Sequence, residues 1–246
     1  MTAYSTVRVS EADDRVVVKL HRPAQRNAIN AAMVADLHSV CALLEHRPRL
    51  LIVTGAGIDF AAGADISELR ARGRNEALAG INRCVFDRIA ALPMPTIAAV
   101  EGNALGGGAE LAYACDLRIA GTGARFGNPE PGLGILAAAG ASYRLTDLVG
   151  KSIAKQVILG GRILDADAAL HCGLVAEVVE KGTAFQAARA LVDRITRLSP
   201  LAVRLSKAVI DAAAAHPLLD DFAQAVLFES PDKTERMTRF LEKRTS

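Results

Sequence analysis

The chain has 246 residues, of which 51% are hydrophobic and 23% charged, and its formal net charge is +2. This length and apolar content suffice for a large buried core, either as one α/β domain or as a domain with a small appendage. The charges nearly balance and the basic residues form no long run, which argues against a nucleic-acid groove and a polybasic membrane patch. We therefore expect a small molecule or another protein as the partner, and no nucleic acid.

The sequence also lacks the signals of membrane, secreted and metal-binding proteins. No apolar stretch approaches the roughly 18 to 20 residues of a membrane span, and the opening MTAYSTVRVS does not resemble a signal peptide. The histidines show no metal-ligand spacing, and the cysteines are far apart, as is typical of reduced thiols. These cysteines are Cys41, Cys84, Cys115 and Cys172. We expect a cytoplasmic protein without membrane association and without a metal.

Strands and helices alternate in the first part of the chain. The β-branched run RVVVKL, residues 15–20, predicts a strand that ends before Pro23, and Asn30 is the expected N-cap of a long helix. The alternation predicts a sheet covered by helices. Further elements follow in chain order: a strand in LLIVTGAG, helices over residues 66–72 and 76–92, a strand in MPTIAAVEG, a helix over residues 108–114 and a strand in DLRIAG.

The second part of the chain is predominantly helical. Helices are expected in GKSIAKQVILGG, in DADAALHCG with Asp165 as N-cap, and over residues 183–198, 200–215, 218–228 and 231–243, with one strand-like piece, LVAEVVE. We place an α/β core at residues 1–190 and a C-terminal helical region at residues 191–246. That region has apolar faces that either pack against the core or form a subunit interface. They include Leu201, Leu205, Val209, Phe222, Val226 and Phe228.

Three consecutive glycines in ALGGGAEL, residues 104–111, follow a predicted strand and open a predicted helix. Such a turn exposes backbone N–H groups at the positive end of a helix dipole. No GxxxxGK[ST] motif is present, and Glu110 would repel a resident phosphate. The arrangement suits a negative charge that develops only during a reaction, with a carboxylate nearby to move protons. A second turn of small residues, FAAGADI at residues 60–66, can supply another backbone donor.

Four segments together resemble the enoyl-CoA hydratase/isomerase, or crotonase, family: FAAGADI, AAVEGNALGGGAELAYACDLRIA, FGNPEPGLG and the terminal FLEKR. The resemblance extends from about Val17 to Arg244. It implies an α/β fold, the crotonase-like spiral of ββα units with a C-terminal helical oligomerisation region. It also implies an acyl-CoA substrate, no cofactor beyond the coenzyme A of the substrate, and assembly as a homotrimer or a dimer of trimers.

The resemblance assigns roles to four residues of the reaction centre. The backbone N–H groups of Ala64 and Gly107 match the family's oxyanion hole for the thioester oxygen, in which each donor is worth about 3 to 4 kcal/mol of transition-state stabilisation. Glu110 matches the carboxylate that activates water, and Glu130 matches the one that delivers a proton. Without the motifs, Glu110 reads as a residue of a helix first turn and Glu130 as a turn residue between prolines.

The resemblance also suggests residues for coenzyme A. The turn RPAQRNAIN makes Arg26 and Ala28 candidates at the nucleotide, and Lys243 resembles a terminal lysine that reaches a phosphate across a subunit boundary. A solvated helix end would explain Lys243 equally well. The segment around adenine and pantetheine comprises Ala62, Gly63, Ala64, Asp65 and Ile66.

One loop departs from the family pattern. Ala137, Ala138 and Ala141 stand where a proline and two glycines are usual, and the Arg144-Leu145 end is kept. Alanine at a position that needs φ > 0 would strain the loop by about 1 to 2 kcal/mol or force another path.

Since both glutamates are present, we expect an enoyl-CoA hydratase, which adds water across the 2,3 double bond of an enoyl-CoA to give a 3-hydroxyacyl-CoA. A double-bond isomerase, a decarboxylase, a thioester hydrolase and a non-catalytic acyl-CoA-binding protein remain alternatives.

Overall fold

The computed structural model describes residues 4–212 and 217–245, without the side chains of residues 217, 218, 240, 241 and 243–245. Its strands are β1 (Val7–Glu11), β2 (Arg15–Leu20), β3 (Leu50–Gly55), β4 (Thr96–Val100), β5 (Asn103–Leu105), β6 (Leu117–Gly121), β7 (Arg125–Gly127), β8 (Leu164–Asp165) and β9 (Glu177–Val179). Its helices are α1 (Ala31–His46), α2 (Ile66–Ala71), α3 (Arg74–Ala79), α4 (Ile81–Ala90), α5 (Gly107–Ala114), α6 (Thr146–Ile158), α7 (Ala166–His171), α8 (Ala184–Ile195), α9 (Pro200–Ile210), α10 (Pro217–Phe228) and α11 (Pro231–Thr245).

Six strands form the main sheet in the order β1-β2-β3-β4-β6-β9. Only β1 runs antiparallel to its neighbour, and the remaining pairs are parallel. A smaller sheet has the order β5-β7-β8. Helices connect most of the parallel strands, so the predicted alternation of strand and helix is confirmed.

The main sheet has a hydrophobic cluster on each face. Successive residues of β3 point to opposite sides: Leu51 and Val53 join the larger cluster with α1, α4 and α5, whereas Leu50 and Ile52 pack with α8. Both faces are thus covered, as expected for a parallel sheet. Because α8 belongs to the second cluster and extends past residue 190, it ties the C-terminal region to the core.

Two local predictions illustrate how capping residues set helix ends. The Asn30 side chain accepts a hydrogen bond from the Met33 N–H at 3.0 Å, which confirms it as the N-cap of α1. The single helix predicted over residues 76–92 is wrong. Gly80 has φ +60°, a left-handed conformation that ends α3, and α4 begins at the next residue.

Two parallel bridges hold segment 60–64 in place, and one of them joins the two glycine-containing turns. Ala61 pairs with Ala104 at β5, and Ala64 pairs with Ile29 before α1. Segment 60–64 therefore runs beside β5, and the Leu105 N–H donates to the Ala61 carbonyl at 3.0 Å. The end of this segment consequently lies next to the start of α5.

The last three helices differ from the core in burial. No residue of α9 is buried, although the ammonium group of Lys207 pairs with Asp116 and donates to the Ala90 carbonyl at 3.1 Å. In residues 4–212 and 217–245, no helix is long and apolar enough to cross a membrane.

Candidate active site

A cavity of about 460 Å³ opens where segment 60–64 meets α5. α2, α3, α4 and the loop after β7 form its other walls. The residues that the sequence assigned to the reaction centre all line it, together with two of the glycines. These residues are Gly63, Ala64, Gly106, Gly107, Glu110 and Glu130.

Ala64 and Gly107 lie next to one another in the wall of this cavity. A Cβ on Gly107 would lie 3.4 Å from the Ala64 nitrogen. Gly107 is the first residue of α5, and its N–H therefore has no acceptor within the helix. Among the hydrogen bonds of the described residues, neither N–H has an acceptor. Both N–H groups are therefore unpaired donors of residues that line the cavity.

The three consecutive glycines are required for three different reasons. Gly106 has φ +50°, a conformation that favours glycine. Gly107 leaves open the space beside the Ala64 amide. A Cβ on Gly108 would lie 2.1 Å from the Ala61 carbonyl oxygen, so this glycine permits the close contact between α5 and segment 60–64.

Glu110 lies on the first turn of α5 and is 3% exposed. Its Oε1 accepts hydrogen bonds from the N–H groups of Ala139, at 2.8 Å, and Ala141, at 3.1 Å. Burial raises the pKa of Glu110 to about 7, and the negative charge of Glu130 adds to the rise, whereas the two amides oppose it. Near neutral pH this side chain therefore exchanges readily between carboxylate and carboxylic acid.

Glu130 begins a short 3-10 helix, Glu130–Leu133, and is 8% exposed. Burial raises its pKa as well. Its Oε2 is buried and has no hydrogen-bond partner among the described residues, whereas its Oε1 lies 3.1 Å from where a Cβ on Gly106 would stand. Interactions with its own backbone and with the Asn128 side chain oppose the rise in pKa, so it is burial that favours the protonated form of the acid.

The pKa of Glu110 predicts a pH dependence of stability. Between about pH 4.5 and 7 the unfolded carboxyl group has lost its proton and the folded one retains it. The free energy of unfolding therefore falls as the pH rises through this range. Relative to the wild type, Glu110→Gln should become more stable from pH 5 to pH 8, by on the order of 1 to 3 kcal/mol. Denaturant unfolding at both pH values measures this, and an identical difference at both would contradict it.

The alanine-substituted loop adopts an unstrained path. Within the described residues, Arg26 and Asn27 are the non-glycine residues with positive φ, so none of the three alanines is in that group. Gly140 takes the left-handed conformation instead, with φ +129°. The expected strain is therefore absent, because the position that needs positive φ still has a glycine.

Arg144 connects this loop to α4. Its guanidinium donates to the Ala139 carbonyl at 3.2 Å and forms an ion pair with Asp87, which also accepts from the Tyr143 hydroxyl at 2.9 Å. Ala139 thus contacts Arg144 through its carbonyl and Glu110 through its N–H. Asp87 is thereby linked, through Arg144 and Ala139, to the carboxylate of Glu110. We refer to Asp87 and Arg144 as the loop brace.

The residues predicted for coenzyme A lie in different places. Ala62, Gly63, Ala64 and Ile66 line the cavity, whereas Arg26, Ala28 and Asp65 do not. Asp65 is the N-cap of α2 and pairs with Arg22 at 3.0 Å. Arg26 is largely exposed and pairs with Asp59 at 3.0 Å. The side chain of Lys243 is outside the described part of the chain, so its assignment stays a prediction.

The sequence analysis did not predict the two amides that bind Glu110, at Ala139 and Ala141. Main-chain donors are common to all residues except proline, so the residue type does not reveal them. The sequence analysis also missed Asn82, which is buried on the face of α4 that carries Val85, Phe86 and Ile89. A polar residue in an apolar stripe with helical spacing was the available signal. Within the described residues, no group of three or more potential ligand side chains is placed to hold a metal.

Comparisons with known proteins agree with the predicted family. The family model described as enoyl-CoA hydratase/isomerase matches residues 13–246. A short-chain-enoyl-CoA hydratase of Clostridium acetobutylicum is 41% identical, over 93% of this chain and 91% of its own. A crotonyl-CoA hydratase of Syntrophomonas wolfei is 38% identical, over 98% and 97%.

The fold is shared with solved structures of this kind. The crystal structure of an enoyl-CoA hydratase from Bacillus anthracis superposes with a TM-score of 0.91, at 32% identity and 97% coverage of both chains. The predicted crotonase fold is confirmed. By sequence and by fold, this chain belongs to the enoyl-CoA hydratase/isomerase family.

Proposed function

We propose that this protein is an enoyl-CoA hydratase that uses Glu110 and Glu130 as its catalytic pair. The names of both relatives support the enzyme type, since each is a hydratase of an enoyl-CoA. The observation that carries the proposal is the presence, in one cavity, of two free amides and two buried carboxyl groups with different hydrogen-bond partners.

The Ala64 and Gly107 amides bind the thioester oxygen. As water adds to the double bond, negative charge moves onto this oxygen, and the two donors stabilise it. Stabilisation of the enolate-like transition state requires little reorganisation, because the donors belong to the backbone. The residues around these two amides are small or glycine, which allows the thioester oxygen to approach closely.

Each of the two carboxyl groups carries out one of the two proton transfers. Glu110, whose Oε1 is held by two amides, orients a water molecule and accepts its proton as the oxygen bonds to Cβ. Glu130, with its unpartnered Oε2, delivers a proton to Cα. One proton enters a carboxylate and another leaves a carboxylic acid, so the net change is the addition of one water molecule.

The unstrained loop weakens the case for an isomerase. A double-bond isomerase needs only one acid, and the alanine-substituted loop was the reason to consider such an enzyme. The loop instead donates two hydrogen bonds to Glu110. These hydrogen bonds support a role for Glu110 beside Glu130 in hydration.

A direct assay tests the proposal. Hydration of crotonyl-CoA removes the conjugated double bond, so the ultraviolet absorbance of the thioester decreases. A 3-enoyl-CoA assayed in parallel detects isomerase activity. Binding of crotonyl-CoA and longer 2-enoyl-CoA thioesters without any hydration would contradict the proposal.

We also propose that the protein forms a homotrimer or a dimer of trimers, as the family resemblance implies. The C-terminal helices support this, because Phe222 is 67% exposed and Leu201, Val226 and Phe228 are exposed as well. Light scattering at micromolar concentration should give at least three times the monomer mass. A monomer under these conditions would rule out the assembly and, with it, a coenzyme A contact of Lys243 across subunits.

The remaining assignments are proposals of the same kind. Arg26 and Ala28 border the nucleotide, and coenzyme A enters as part of the substrate, without a separate cofactor. A cytoplasmic location is supported by the bacterial sources of both relatives.

A further inference from the structure

One wall of the cavity carries polar groups that the hydration mechanism does not use. Asn82, on the first turn of α4, is only 8% exposed and lines the cavity beside the oxyanion hole. Its Nδ2 lies 3.8 Å from the position of a Cβ on Gly107. The side chain therefore reaches the place where the acyl group must pass.

Arg72 fixes the orientation of the Asn82 amide. The Arg72 Nη1 donates to the Asn82 Oδ1 at 3.1 Å. A guanidinium group has only donors, so the amide oxygen must face Arg72 and the NH₂ group must face Gly107. Among the described residues, no hydrogen bond uses this NH₂ group, which leaves it available to a ligand.

Arg72 also presents a positive charge to the cavity. It follows α2 and lines the same wall, yet it forms no ion pair with a carboxylate of the described residues. The other arginine of the wall, Arg83, is paired with Asp87 at 2.8 Å. Glu76, which also lines the cavity, accepts a hydrogen bond from the Gly73 N–H at 2.9 Å, and its charge attracts that of Arg72 without forming an ion pair. Because Glu76 is exposed to solvent, which screens this attraction, the Arg72 guanidinium can still bind a carboxylate of a substrate.

An alkyl chain would be a poor occupant of this wall. It would remove water from the Arg72 guanidinium and from the Asn82 NH₂ group and offer no acceptor in return, which is costly for polar groups. A carboxylate satisfies both, since arginine binds carboxylates through two parallel hydrogen bonds. The acyl chain is short, because only the Asn82 side chain and one hydrogen bond separate Arg72 from the oxyanion hole.

We propose that the preferred substrate is a short 2-enoyl-CoA whose acyl chain ends in a carboxylate, which is bound by Arg72 with Asn82 as a second donor. This inference rests on the hydratase function proposed above and specifies its substrate class. Leu69 and Ile81 contact the carbon chain between the two polar ends. They line the same cavity.

The test compares matched pairs of substrates that differ only at the acyl terminus. Glutaconyl-CoA is paired with 2-pentenoyl-CoA, and 2,3-dehydroadipyl-CoA with 2-hexenoyl-CoA. We expect kcat/KM of the wild type to be about tenfold or more higher for the carboxylate in at least one pair, as one charge-assisted hydrogen bond provides. Arg72→Met should abolish this preference, so that the two members of each pair are hydrated with similar kcat/KM.

Two further variants keep the test specific. Asn82→Asp has the same shape and gives Arg72 an internal partner, so it should also abolish the preference, whatever its effect on the absolute rate. Arg70→Met is the matched control: Arg70 is exposed two residues away and does not line the cavity, so the preference should be unchanged.

The possible failures are distinguishable. If no 2-enoyl-CoA is hydrated, the proposed function is wrong. If methyl-ended substrates are hydrated as fast as their carboxylate partners, the hydratase stands and this inference is overturned. If Arg72→Met weakens the binding of free coenzyme A, and lowers kcat/KM equally for both members of a pair, Arg72 binds the coenzyme A phosphates and the inference is again overturned.

Discussion

Glu130→Gln should lower the rate of hydration by about 10² to 10⁴-fold, the usual contribution of a positioned general acid. The amide keeps the shape of the side chain but has no proton of suitable acidity to deliver to Cα. Affinity for a product analogue should change little, since a loss confined to the chemical step affects kcat more than ground-state binding. Steady-state kinetics and analogue binding measure the two quantities separately.

The second carboxyl group provides the control for this result. Glu110→Gln should cause a loss of similar size, and the double variant should cost much less than the product of the two losses, because both groups act in one transition state. Hydration by Glu130→Gln at the wild-type rate would exclude the assigned role. If only one glutamate matters and a 3-enoyl-CoA is converted, the enzyme is an isomerase.

Gly107→Ala should reduce turnover by about 10² to 10³-fold or more, as much as the loss of one donor of an oxyanion hole, because the added methyl group keeps the thioester oxygen away from the two N–H groups. The added methyl group would lie 3.4 Å from the Ala64 nitrogen, within ordinary contact distance, so the fold accepts it. The same methyl group occupies the space that the thioester oxygen must enter. Activity should be lost while the melting temperature is retained, as parallel kinetic and thermal measurements would show.

Substitution of the next residue, Gly108, should have the opposite effect, a loss of stability. In Gly108→Ala the methyl group would lie 2.1 Å from the Ala61 carbonyl oxygen, and neither backbone segment can move without disturbing the core. We expect a loss of stability at the upper end of, or beyond, the roughly 1 to 3 kcal/mol typical of overpacking. A stable but inactive Gly108→Ala, or a destabilised Gly107→Ala, would contradict these separate roles.

Periodicity and capping were sufficient to predict the regular elements of the fold, as at α1 and β3, where the local sequence and the tertiary environment favour the same structure. Periodicity and capping failed where a single backbone angle determines whether a helix continues. At Gly80 the apolar spacing continues through a left-handed residue, so one helix was predicted where there are two. Strand β1, Val7–Glu11, was not predicted. The short strands β5, β7 and β8 were missed because two or three residues carry too little periodicity to recognise.

The site was predictable to the extent that residue types encode it. Glu110, Glu130, Ala64 and Gly107 came from motifs, and all four line one cavity. The interactions that support these residues were not predictable. They join distant parts of the chain by hydrogen bonds from backbone amides or by one ion pair between side chains. The loop brace, for example, links Asp87 to Arg144 across 57 positions.

The attachment of Glu110 to main-chain amides has an evolutionary consequence. Every residue except proline supplies the same N–H, so substitutions at positions 139 and 141 are chemically neutral towards the carboxylate as long as the side chains are small enough for their buried sites. Insertions and deletions are different: one residue more or less before Gly140 would move both donors by one step along the chain, about 3.8 Å. Selection should therefore conserve the length of this loop more strictly than its composition, and a lineage can exchange its glycines for alanines without losing the reaction.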